Sequence, residues 1–116
     1  MRVLIVDDHA GFRATARRLL EAEGYTVVGE AKDGAGALMV ANDTNPELVL
    51  LDVQLPDLDG FELTERLVEL QPELQVVLTS SRDVEDYGRY ADGSSARGFL
   101  PKSELSGATL AALLSG

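Results

Sequence analysis

The stretch Arg2-Val3-Leu4-Ile5-Val6 is a short apolar run that ends abruptly at Asp7-Asp8-His9. Similar runs recur at 26–29, 47–51, 74–78 and 97–100. Each is too short for a helix and too continuously apolar for a strand with one face in water, so each reads as a strand buried on both sides. Between the runs, apolar residues recur at helical spacing: Phe12, Ala16, Leu19 and Leu20; Ala35, Leu38 and Met39; Leu63, Leu67 and Leu70; Val84, Tyr87 and Ala91; and finally Leu110, Leu113 and Leu114. Strict alternation of strand and helix predicts an α/β fold: a (βα)5 doubly wound, five-stranded parallel sheet of flavodoxin-like build, in the order 2-1-3-4-5.

Local chemistry sets the boundaries. Gly24 ends the first helix, Asp33 and Asp59 can cap the second and third, and Pro72 stops the third. The fourth helix is the thin member of the set, with Gly88 inside it and several places to stop at Asp92-Gly93-Ser94-Ser95, and it is expected to be the most mobile element.

Composition restricts the function classes. The 116 residues, 45% hydrophobic and 26% charged, suit one packed domain over 1–116 with no room for an effector domain. Ten basic against twenty acidic residues leave a charge of −10, which argues against direct contact with nucleic acid or anionic lipid. Without cysteine there is no thiol chemistry, and with a single histidine any metal should be hard and oxygen-bound. No apolar run reaches a membrane span and no signal peptide opens the chain, so the cytoplasm is the expected compartment.

In an open α/β sheet the ligand site lies outside the carboxyl ends of the strands. The residues that follow the apolar runs there are Asp7 and Asp8, Asp52, Thr79 with Ser80, and Lys102. Taken singly, each is ordinary: an Asp caps helices, a Thr satisfies a turn, a Lys is solvated. Their joint placement on one edge, by four separate strands, points to a site. Carboxylates packed this closely raise one another's pKa unless a counter-charge intervenes, and Mg2+ or Mn2+ suits a few carboxylates combined with water and substrate phosphate. Asp52 could then act as nucleophile toward a phosphoryl donor, with Lys102 and Thr79 contacting the phosphoryl oxygens.

These residues, namely Asp7-Asp8, Leu50-Leu51-Asp52-Val53-Gln54-Leu55-Pro56 with Gly60 beyond, Leu78-Thr79-Ser80, and Gly98-Phe99-Leu100-Pro101-Lys102, resemble the receiver domain of bacterial two-component response regulators over essentially the whole chain. The resemblance implies that Asp52 is the phosphoacceptor, that Asp8 and Asp52 ligate Mg2+ directly with the Gln54 carbonyl, and that Asp7 acts through water. It also implies that Thr79 reorients onto the phosphoryl group, that Lys102 pairs with it, and that Phe99 is the switch aromatic. The implied function is a phosphorylation-activated signalling switch rather than a turnover enzyme. A histidine kinase or phosphotransfer protein would supply the phosphoryl group. The face made by the fourth helix, fifth strand and fifth helix would change to control a transcriptional or other output, with homodimerisation through that face.

The sequence departs from the family at Ser80, where a small residue is usual, and at Ser95-Ala96, where Gly-Ala is usual, so that Gly93 is expected to end the fourth helix early. Gln54 and Ser81 occupy the positions that tune dephosphorylation. His9 reads as a solvated or hydrogen-bonded loop residue rather than a phosphocarrier, Tyr25 and Met39 as packing residues, and Glu62, Glu65 and Glu69 as a solvated face.

Two rival functions are weaker. A metal-dependent phosphatase would carry a general acid two residues beyond the nucleophile, where Gln54 cannot donate a proton that way. A flavin or nucleotide domain would open on a Gly-rich phosphate cradle instead of two carboxylates. The remaining alternative is a receiver that docks its partners constitutively, without phosphorylation.

Overall fold

The computed structural model describes residues 1–81 and 93–115. Five parallel strands form one sheet in the order β2-β1-β3-β4-β5: β1 Arg2–Val6, β2 Thr26–Ala31, β3 Leu48–Asp52, β4 Gln75–Ser80 and β5 Gly98–Pro101. Helices α1 (Ala10–Ala22), α2 (Gly34–Thr44) and α3 (Gly60–Leu70) follow the first three strands, and a C-terminal helix (Gly107–Ser115) closes the chain. The predicted order and architecture hold. The helix predicted around Val84, Tyr87 and Ala91, with its expected mobility, lies outside the described residues.

The strands are apolar throughout because both faces are covered. On β3, Leu48 and Leu50 pack in a cluster with Val3, Ile5, Ala16, Leu20 and Leu110, beneath α1 and the C-terminal helix. Their neighbours Val49 and Leu51 pack with Leu4, Val6, Ala37, Leu63 and Leu67, beneath α2 and α3. The period-two alternation of a strand thus splits one run of sequence between two half-cores.

The helix ends carry the expected chemistry and some more. Glu23 caps α1 and is followed by Gly24 at φ 92°, a left-handed conformation that glycine adopts without a Cβ penalty. Asp33 accepts from Gly36 N–H at α2, and Asp59 from Phe61 and Glu62 N–H at α3. The C-terminal helix opens on a reciprocal pair: Thr109 N–H donates to Ser106 Oγ (3.0 Å), while Ser106 N–H donates to Thr109 Oγ1 (2.9 Å).

Two details position the site. Strands β3, β4 and β5 run one or two residues further than their apolar runs suggest, because pairing continues through Asp52↔Thr79 and Ser80↔Pro101. The polar residues at these strand ends are therefore held by the ladder and not by loops. The loop after β3 is in turn pinned from both sides. Gly60 packs so closely that a Cβ there would lie 2.6 Å from the Asp52 carbonyl oxygen and from Val53 Cα, and Asp57 accepts from Gly34 and Ala35 N–H at the start of α2 (2.8 and 3.1 Å). These two bonds hold the Asp57 carboxyl below its ordinary pKa. Among the described residues, no helix is long and apolar enough to cross a membrane.

Candidate functional site

At the carboxyl edge of the sheet, Asp7 follows β1, Asp52 ends β3, and Lys102 follows β5 as the first residue of a 3-10 turn (Lys102–Glu104). The Asp7 side chain is completely buried, that of Asp52 is 6% exposed and that of Lys102 13%. Lys102 Nζ lies 2.6 Å from Asp7 Oδ2, as an ion pair without hydrogen-bond alignment, and 3.3 Å from Asp52 Oδ2, to which it donates a hydrogen bond. The other Asp52 oxygen accepts from Gln54 N–H at 3.1 Å.

Asp7 Oδ1 accepts from the backbone N–H of His9 (2.8 Å) and lies 3.1 Å from His9 Nδ1, which is equally close to Asp8 Oδ1. Asp8 and His9 are exposed to solvent. Asp7, Asp8, His9 and Asp52 each offer one ligand atom, and these atoms all lie within 4.8 Å of one another. His9 thus belongs to the cluster, which its sequence position alone had not suggested.

Burial pushes the Asp52 carboxyl above its ordinary pKa; the Gln54 N–H and the Lys102 ammonium pull it back, and the nearby Asp7 adds to the rise. One ammonium therefore serves two buried carboxylates, Asp7 and Asp52. A further cation among these oxygens would favour the ionised form of Asp52. The donor set fits a hard divalent ion: three carboxylates from the adjacent ends of β1 and β3, one of them open to water.

Thr79 and Ser80 are buried, and Thr79 stands opposite Asp52 in the β3–β4 ladder, with its carbonyl accepting from Val53 N–H (2.9 Å). The Thr79 hydroxyl is buried with no hydrogen-bond partner among the described residues, an arrangement that costs stability. Phe99 lies one strand further along the sheet, on β5. It pairs with Leu78 and is half-buried against the α2–α3 half-core.

The sequence model of the response regulator receiver domain matches residues 3–114. The chain belongs to this family. Among the similar proteins, BvgA of Bordetella pertussis, whose name describes positive transcription regulation of virulence factors, is 39% identical over 103 residues, 89% of this chain and 49% of the relative. The response regulator GacA of Pseudomonas aeruginosa is 34% identical over 88% of this chain and 48% of its own. The receiver domain therefore spans about half the length of these relatives. The solved signal receiver domain of NarL from Mycobacterium tuberculosis superposes with a TM-score of 0.86 at 33% identity, covering 99% of this chain and 97% of that one.

Several contacts around these residues have no sequence signal of their own. Arg13 donates to the carbonyl oxygen of Asp7 (2.6 Å) and to Glu30 (3.2 Å), tying α1 to the β1 end and to β2. The Phe12 ring lies under the ammonium of Lys102, 4.6 Å from Nζ to the centroid. Glu62, Glu65 and Glu69 are all exposed, as expected of a solvated face, and two of them have partners on it: Glu62 pairs with Arg66, and Glu65 accepts from the N–H and hydroxyl of Ser95 (2.8 and 2.7 Å). Ser95, where the family usually has Gly, thereby fixes the segment leading into β5.

Proposed function

We propose that this chain, over 1–116, is a phosphorylation-activated switch of a two-component phosphorelay, acting in the cytoplasm and accepting a phosphoryl group on Asp52. The observation that carries the reading is the pairing of buried Asp52 with Lys102 at 3.3 Å, beside an oxygen cluster suited to a divalent ion. The donor would be a phosphohistidine on a kinase or phosphotransfer protein, or a small acyl phosphate. An Asp52 oxygen attacks phosphorus, the bond from phosphorus to the imidazole nitrogen or acetate oxygen breaks, and the leaving group departs with that bond's electron pair.

Asp8 and Asp52 with the Gln54 carbonyl would hold Mg2+ (or Mn2+) directly, and Asp7 would hold it through water. When bound, the ion neutralises charge on the phosphoryl oxygens. Lys102 turns its ammonium from Asp52 to the phosphoryl group that replaces the carboxylate charge. The Thr79 hydroxyl, without a partner among the described residues, gains an acceptor in the same group, and that differential contact biases the domain toward its active arrangement. Movement of Thr79 leaves room toward β5, where Phe99 is the switch aromatic. The response appears on the face made by the fourth helix, fifth strand and fifth helix, which controls a transcriptional or other output and supports homodimerisation. This is self-catalysed transfer with self-dephosphorylation, not turnover of a free substrate.

Beryllofluoride, a phosphoryl mimic, provides the test. Binding that requires Mg2+ and is lost in Asp52→Asn supports the proposal, whereas equal binding by Asp52→Asn rejects it.

A further inference from the structure

We infer that Phe12 is a positioning residue for phosphoryl transfer: its ring face holds the Lys102 ammonium against the phosphoacceptor without neutralising it. The inference rests on the reading of Asp52 given above and names a residue that reading does not use.

Phe12 is the third residue of α1, and by spacing it belongs to that helix's core-facing stripe. It does pack against the half-core shared by α1 and the C-terminal helix, where Leu100 of β5 also lies. The same packing brings the ring to Lys102, two residues beyond Leu100. At 4.6 Å from centroid to Nζ, the ammonium stands well inside the range in which a ring quadrupole attracts a cation. Since Lys102 is only 13% exposed, the attraction is weakly screened by water.

Three groups thus surround one ammonium: Asp7 at 2.6 Å, Asp52 at 3.3 Å and the ring. Their chemistry differs in a way that matters for transfer. A third carboxylate would neutralise the charge and compete with the incoming phosphoryl group. An aliphatic side chain would leave that side of the ammonium desolvated with no compensation, and the four-carbon stem free to swing. An aromatic face attracts the charge yet accepts no strong hydrogen bond, so the N–H donors remain for phosphoryl oxygen. Positioning of this kind is what phosphoryl transfer demands, because its catalysis is mainly placement and charge stabilisation.

The test compares Phe12→Leu, which keeps apolar bulk but removes the ring, with Phe12→Tyr, which keeps it. Beryllofluoride affinity is measured at saturating Mg2+, alongside Mg2+ affinity alone and the rate of phosphorylation by acetyl phosphate. Phe12→Leu is expected to weaken beryllofluoride binding and slow phosphorylation by about threefold to tenfold, with Mg2+ affinity unchanged and Phe12→Tyr close to the original protein. In a Lys102→Ala background, Phe12→Leu should have no further effect on the phosphorylation rate. A parallel fall in Mg2+ affinity, no rescue by Tyr, or an undiminished effect without Lys102 would each reduce Phe12 to a packing residue and overturn the inference. If the unaltered protein fails to bind beryllofluoride or accept phosphate, the reading of Asp52 falls. If it does both and Phe12→Leu matches it, only the inference about Phe12 falls.

Discussion

The ammonium of Lys102 lies 2.6 Å from Oδ2 of Asp7, a carboxylate with no exposure to solvent, although the two residues belong to opposite ends of the chain. The contact spans the sheet from the end of β1 to the end of β5. Removing the ammonium leaves Asp7 Oδ2 buried without its counter-charge, with only His9 still contacting the other oxygen. Lys102→Ala should therefore destabilise the metal-free protein by about 3 kcal/mol, within the range for breaking a buried pair. Mg2+ should then raise the melting temperature of Lys102→Ala by more than that of the unaltered protein, and Asp8→Ala should abolish both shifts. An equal or smaller Mg2+ shift in Lys102→Ala would show that the carboxylates do not share one counter-charge.

Gly60 tests how tightly the loop beside Asp52 is set. A Cβ at this position meets backbone atoms of Asp52 and Val53 at 2.6 Å, which no side-chain rotation relieves. Gly60→Ala should cost about 1–3 kcal/mol by overpacking and should slow phosphorylation as well, since the shift falls on the phosphoacceptor's own backbone. Denaturant melts and acetyl phosphate kinetics on the one variant check both.

Thr79 should separate stability from response. Its buried hydroxyl has no partner among the described residues, so Thr79→Val should leave the unphosphorylated protein as stable as before or more stable by about 1 kcal/mol. Phosphorylation should change amide hydrogen exchange mainly across Arg82 to Ser106, and the same variant should accept phosphate on Asp52 but lose that change. A large loss of stability would mean that the hydroxyl is satisfied, and an intact exchange response would place the switch elsewhere.

The bond from Ser95 to Glu65 predicts a pH dependence. The hydroxyl and N–H of Ser95 hold the Glu65 carboxyl below its ordinary value of 4.5. The folded state therefore favours the anion. Its contribution to stability is complete above that ordinary value and is lost as pH falls below it, through the folded-state value. Ser95→Ala and Glu65→Gln should each flatten the acid side of the stability profile, and the double variant should add nothing to either, as urea melts across pH 3 to 7 would show.

The fold was legible because five apolar runs alternate with helical stripes, and parallel strands buried on both faces leave little choice of topology. Asp7, Asp8, Asp52, Thr79 and Lys102 were legible for the related reason that each ends or follows such a run at the carboxyl edge. What sequence did not disclose depends on contacts between elements far apart in the chain. Phe12 looks like any apolar residue of a helix stripe until β5 brings Lys102 over its ring. Glu65, exposed as its place on α3 suggests, gains a partner only when Ser95 comes alongside from the segment before β5. Asp57 carries no periodic signal, and its role as a second cap for α2 exists only once the β3–α3 loop folds back. Strand ends were read short because a polar residue breaks an apolar run without breaking the hydrogen-bonded ladder.

The central claim is that Asp52 is a metal-dependent phosphoacceptor, and the most direct measurement is the intact mass of the protein after incubation with acetyl phosphate, followed by mapping of the modified peptide. The expected result is one added phosphoryl group, located on Asp52, present with Mg2+, lost when the metal is chelated and absent in Asp52→Asn. Addition that persists without a divalent ion, that maps to another residue such as His9, or that survives Asp52→Asn would contradict it.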